Sequence, residues 1–207
     1  MEICRKIILL ILFMSSFAFK NSFCMKEEAK NYSANEFWKT CGLFTYIPYK
    51  ENPSEITPIR VAFHEAGHAL IAKYYDRKIK SITIKESQQT YGDTVCEEGN
   101  FKTLENIINF DLAGYITETI KFVKATHIIE GDLDKAATYA LFIESHSFLT
   151  KKTALQALEQ CLTETHKIIS ENLGTITTIA RALLQKETLT GEEIDLIFNS
   201  SIDTNKQ

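Results

Sequence analysis

Beyond residue 57 the apolar residues recur at three- and four-residue steps, and this period constrains the fold more than any other feature. Leu104, Ile107, Ile108, Leu112, Ile116 and Ile120 form one apolar stripe, which predicts a helix from Thr103 to about Lys124. Ala154, Leu155, Leu158, Cys161, Leu162, Ile168 and Ile169 predict another, ending near Gly174, and Ile176 to Lys186 a further one. Between them, Asp132 to about Glu144 also reads as helical. Thr57-Pro58 resembles an N-cap followed by proline at the first helical position. Ile59, Ala62, Ala66, Ala69 and Ile71 then supply an apolar face up to about Tyr75. Thr190-Gly191-Glu192-Glu193 has the form of a capping box opening a short last helix. Only Ile79 to Lys85 alternates with period two, with Ile82 and Ile84 on one side, and this predicts a strand. Residues 86 to 102 are polar and carry Gly92 and Gly99, as in a loop or a second short strand. The expected fold is mainly α, with a small β element after the first of these helices.

Apolar residues make up 44% of the 207 and charged residues 24%, enough for a core and against global disorder. The net charge is -4 with no long basic run, which argues against nucleic acid as partner. Arg5 and Lys6 precede an apolar run from Ile7 to Phe19, shorter than the roughly 20 residues that span a bilayer. Ser16-Phe17-Ala18, near the end of that run, has small residues at its ends, so residues 1–24 are read as a signal peptide or membrane anchor and the chain as exported. Residues 25–56 are then a lead-in, 57–199 the domain and 200–207 a tail. Cys4, Cys24, Cys41, Cys96 and Cys161 are scattered without a CxxC, which excludes a zinc ribbon.

The chemistry lies in His64-Glu65-Ala66-Gly67-His68. Two histidines four apart project from one helix face, where both imidazoles can bind one Zn2+. Glu65 adjoins the first of them and can act as general base towards a water that such a metal polarises. Gly67 is read as clearing space beside the metal, since in mid-helix it costs roughly 1 kcal/mol against alanine. A catalytic zinc site takes a third protein ligand. Glu118, on the second long helix, and Asp132, at the start of the next, both qualify on their residue type.

Val61-Ala62-Phe63-His64-Glu65-Ala66-Gly67-His68-Ala69-Leu70 resembles the active-site helix of the FtsH family of ATP-dependent zinc proteases. Leu112-Ala113-Gly114-Tyr115-Ile116-Thr117-Glu118 resembles that family's LGGRAAE segment, and Gly131-Asp132-Leu133-Asp134-Lys135-Ala136-Ala137 its ND-(I/L)-x-x-A-T segment. Leu183 to Ile194, LLQKETLTGEEI, is similar to its LLEKETLDGEEI. The four blocks fall in family order over about residues 58 to 198. The resemblance implies a helical zincin-like peptidase domain with His64, His68 and Asp132 as zinc ligands, Glu65 as base and Glu118 orienting a ligand histidine. It also implies a polypeptide substrate added as a strand beside Ser81 to Ile84. On that reading Ile82, Thr83 and Ile84 are substrate contacts, with Gly92 and Thr94 from Tyr91-Gly92-Asp93-Thr94, which is similar to the family's GGxT. His127, His146 and His166 match no ligand position.

Two departures stand out. No GxxxxGK[ST] occurs, so no ATPase module accompanies these blocks. The family's YGMS stretch is replaced by Phe142-Ile143-Glu144-Ser145-His146. The expected activity is therefore an ATP-independent zinc endopeptidase. The alternatives are a peptidase subunit served by a separate ATPase, a catalytically idle peptide- or partner-binding relative, and a structural zinc domain. Homo-oligomerisation is left open.

Overall fold

The computed structural model describes residues 56–87, 90–99, 101–122, 130–146 and 152–204. All fall in one compact unit, Ile47–Gln207. The expected signal segment, His127, Cys4, Cys24 and Cys41 lie outside the described residues. Among the described residues, no helix is long and apolar enough to cross a membrane.

The element order is α1 (Pro58–Tyr74), β1 (Ile79–Thr83), β2 (Asp93–Cys96), α2 (Leu104–Phe122), α3 (Glu130–His146), α4 (Ala154–Glu171), α5 (Leu173–Lys186), β3 (Thr188–Thr190) and α6 (Gly191–Thr204). The fold is mainly helical with one small antiparallel sheet, in agreement with the apolar period. Helix α6 continues to Thr204, beyond the expected start of a tail at residue 200.

Helix α1 is the axis of the core. It is buried without a break from Val61 to Ala72: apolar and small residues fill most of its surface, and His64, Glu65 and His68 are the polar side chains buried among them. It packs against α2 and α5, while α2 also meets α3 and α4. Ile71, Ile108, Leu112, Leu158, Ile169, Ile176, Ile179 and Leu183 are among the fully buried side chains, each stabilising the fold by about 1.5–3 kcal/mol. Ile59, expected on the apolar face, is 44% exposed because it lies in the first turn, ahead of the packed segment. Thr57 takes the N-cap position with Pro58 next to it, but its side chain makes no capping bond; its carbonyl accepts from the Arg60 and Val61 amides instead.

Gly67 has a different purpose from the one its place in the motif suggested. A Cβ there would collide with Thr117 Oγ1 and come within 2.8 Å of the Ala113 carbonyl, both on α2. The glycine lets α1 and α2 approach closely; it does not clear space at a metal.

The sheet order is β2-β1-β3. Strand β1 pairs antiparallel on both sides, Ile82 facing Thr94 in β2 and Leu189 in β3. Strand β3 is placed by its flanks. Helix α5 ends at Glu187, which is left-handed at φ 60 and donates its amide to the Leu183 carbonyl. The Glu187 carbonyl then accepts from the Ile84 amide and the Thr83 hydroxyl. After β3, Thr190 and Glu193 form the reciprocal capping box: the Thr190 amide donates to Glu193 Oε2 and the Glu193 amide to Thr190 Oγ1.

Candidate metal centre

The spacing of His64 and His68 along α1 directs both rings towards α2 and the start of α3, and each ring is fixed at Nδ1. His64 Nδ1–H donates to Glu118 Oε1 at 2.9 Å, and His68 Nδ1–H donates to the Phe110 carbonyl at 2.8 Å. Both acceptors belong to α2. With Nδ1 carrying the proton, each Nε2 presents a lone pair. The two Nε2 atoms lie 3.0 Å apart, and Asp132 Oδ2 is 3.2 Å from the first and 3.1 Å from the second. These edges are close to the roughly 3.3 Å between ligand atoms of a tetrahedron with bonds of about 2.0 Å.

Two lone pairs and a carboxylate oxygen pointed at one spot repel one another unless a positive charge sits between them. The electrostatics agree. Burial resists a charge on His64, but its hydrogen bonds to the Asp132 and Glu118 carboxylates outweigh it and push its pKa up to about 10, so that without a metal a proton takes the place of its Nε2 lone pair. Burial likewise opposes ionisation of Asp132, yet the two histidines hold its carboxyl far below the usual range. The donor set therefore fits a small divalent cation, and two nitrogens with one carboxylate oxygen suit zinc.

Glu65 is 4% exposed and borders the cleft. Burial raises its pKa, against the pull of His64 and His68. The Thr94 hydroxyl donates to its Oε2 at 2.7 Å and orients it. The cleft, of about 350 Å3, is lined by His64, Glu65, His68, residues Thr90 to Thr94, Phe110, Gly131, Asp132 and Lys135.

The structure thus brings together His64, Glu65, His68, Asp132 and Glu118. Gly92 and Thr94 also reach the cleft, though Thr94 is turned to Glu65. Ile82, Thr83 and Ile84 do not line it: Ile82 is wholly buried, and β1 has no free edge because β2 and β3 take both sides. Strand addition beside Ser81 to Ile84 is therefore corrected; among the described residues the sheet edge near the cleft is that of β2. His146 and His166 are exposed and away from the cleft, and Cys96 and Cys161 are free thiols.

Two contributors had no role assigned from the sequence. Phe110 acts through its carbonyl, which any residue has. Gly114 admits the His64 ring, since a Cβ there would overlap its Cε1 and Nε2 atoms. Gly114→Ala is expected to tilt His64 off Glu118, destabilise the fold by about 1–3 kcal/mol and weaken zinc binding. Gly174→Ala, where a Cβ meets nothing within 4 Å, is expected to do neither; denaturant melts and zinc titration compare the two.

Asp111 adjoins Phe110. It is 4% exposed and its Oδ2 has no hydrogen-bond partner among the described residues. Burial, helped by the nearby Asp132 charge, raises its pKa well above the carboxylate range. The folded state then holds a proton that the unfolded state releases near pH 4, so this group costs stability as pH rises. Asp111→Asn is expected to raise the melting temperature of chelator-treated protein at pH 8, by about 1–3 kcal/mol in stability, with the gain shrinking towards pH 4. A gain that is equal at both pH values contradicts this account.

A HExxH helix whose histidines converge with a carboxylate from another helix defines the zinc-metallopeptidase type of centre. The comparisons with known proteins agree. The chain is 30% identical over 176 residues to the ATP-dependent zinc metalloprotease FtsH 2 of Thermoanaerobacter sp. (strain X514), covering 72% of this chain and 34% of that protein. It is 25% identical over 189 residues to the ATP-dependent zinc metalloprotease FtsH 1 of Thermomicrobium roseum, covering 70% of this chain and 29% of that protein. No family model matches the chain. The similarity relates the chain distantly to the FtsH metalloproteases, and the chain spans about a third of the length of these curated relatives.

Proposed function

We propose that this domain is a zinc endopeptidase acting on extended polypeptide. The observation that carries the reading is the meeting of His64 Nε2, His68 Nε2 and Asp132 Oδ2 beside the buried carboxylate of Glu65. Zinc held by these three residues would supply a Lewis acid for the scissile carbonyl and an acidified water. Glu65 would take the proton of the attacking water and pass it to the departing amine. A carboxylate within reach of both groups can serve both steps. Thr94 keeps its Oε2 oriented between them. Glu118 and the Phe110 carbonyl hold the histidine rings in the tautomer that leaves Nε2 free.

The substrate strand would lie along the outer edge of β2, where Gly92 and Thr94 already border the cleft. Backbone pairing of this kind selects extended chain over any one side chain. We read the hydrolytic step as ATP-independent, since cleavage at this centre would draw only on zinc, water and Glu65, and the chain as exported, on the Arg5-Lys6 and Ile7 to Phe19 pattern. Hydrolysis of casein by the full chain tests the reading. Activity should vanish with chelator, return with Zn2+ and be indifferent to ATP. Zinc binding without turnover would favour the idle peptide-binding alternative.

A further inference from the structure

Asp132 offers the histidine pair one oxygen only. Oδ2 faces both Nε2 atoms, while Oδ1 accepts a hydrogen bond from Lys135 Nζ at 3.0 Å. The two residues are three apart on α3, so one turn of helix brings the ammonium over the carboxylate. Lys135 lines the cleft with its side chain 61% exposed. Asp111 on α2 and Asp93 on β2 also act on it through space. Carboxylates from three elements thus act on this cation at the edge of the centre.

We propose that Lys135 is a positioning residue that fixes how Asp132 binds metal: by occupying Oδ1 it confines the carboxylate to one bond through Oδ2 and keeps a coordination position open for water. This rests on the reading of His64, His68 and Asp132 as a metal centre. A carboxylate whose second oxygen is free can turn and chelate, which raises the coordination number and fills the place that water needs. Affinity does not report this effect cleanly, since removing a cation also strengthens the carboxylate's pull on a metal. Coordination number does.

The probe is Co2+, bound to the full-length wild type, Lys135→Met, Lys135→Gln, Lys135→Arg and Asp132→Ala. Four-coordinate Co2+ absorbs visible light severalfold more strongly than five- or six-coordinate Co2+. Wild type and Lys135→Arg should show the intense spectrum. Lys135→Met and Lys135→Gln, at full loading, should show it severalfold weaker, with thermal melts unchanged because the side chain is largely exposed. A wild-type spectrum in both neutral variants would overturn the role of Lys135 and leave the metal centre standing. Stoichiometric Co2+ missing from wild type, or kept equally by Asp132→Ala, would overturn the centre and this inference with it.

Discussion

Glu65→Gln is expected to keep stoichiometric zinc and to lose hydrolysis, by about 10²–10⁴-fold if the carboxylate is the general base. The substitution preserves shape. Thr94 can still donate to the glutamine oxygen where it now donates to Oε2, and the ligand atoms of His64, His68 and Asp132 are untouched. Only the capacity to take a proton disappears. Zinc content by elemental analysis and casein hydrolysis on the same preparation separate the two properties. Equal turnover in wild type and variant would sink the mechanism, whatever the metal content.

Asp132→Ala is expected to strip the metal, with zinc falling from stoichiometric to background. One of three converging donors is lost, and with it the negative charge of the donor set. Glu118→Ala tests the opposite case. Glu118 is fully buried and reaches the centre through His64 Nδ1. Its removal is expected to weaken zinc binding by about 10–100-fold, the usual effect of losing a residue that orients a ligand. The ion pair between the Arg60 guanidinium and Glu118 Oε2, 3.7 Å apart, would also be lost, so the melting temperature should fall as well. Isothermal titration with Zn2+ orders the two variants. A larger loss from Glu118→Ala than from Asp132→Ala would exchange their roles.

Much of this molecule was legible because its determinants are local. Helix period, the Pro58 start and the Thr190–Glu193 capping box depend on neighbours within four residues. The pairing of His64 with His68 is of the same kind: four residues on a helix place two rings on one face in any fold. The i, i+3 relation of Asp132 and Lys135 could have been read in the same way. Residues 188–190 offered no strand signal, because three residues are too few to show a period, and the strand exists only because the chain leaving α5 at Glu187 pairs with β1.

The sequence by itself determined a mainly helical chain and the HExxH pair with its adjacent carboxylate, since both follow from spacing along one helix. Only the tertiary structure decided that Asp132 Oδ2 meets that pair and that Glu118 orients one of its rings, because these residues come from helices more than fifty positions away. It also decided that Gly67 belongs to helix packing, and that β1 is enclosed between β2 and β3. A strand's own residues cannot show how many neighbours will take its edges; that depends on where later chain returns.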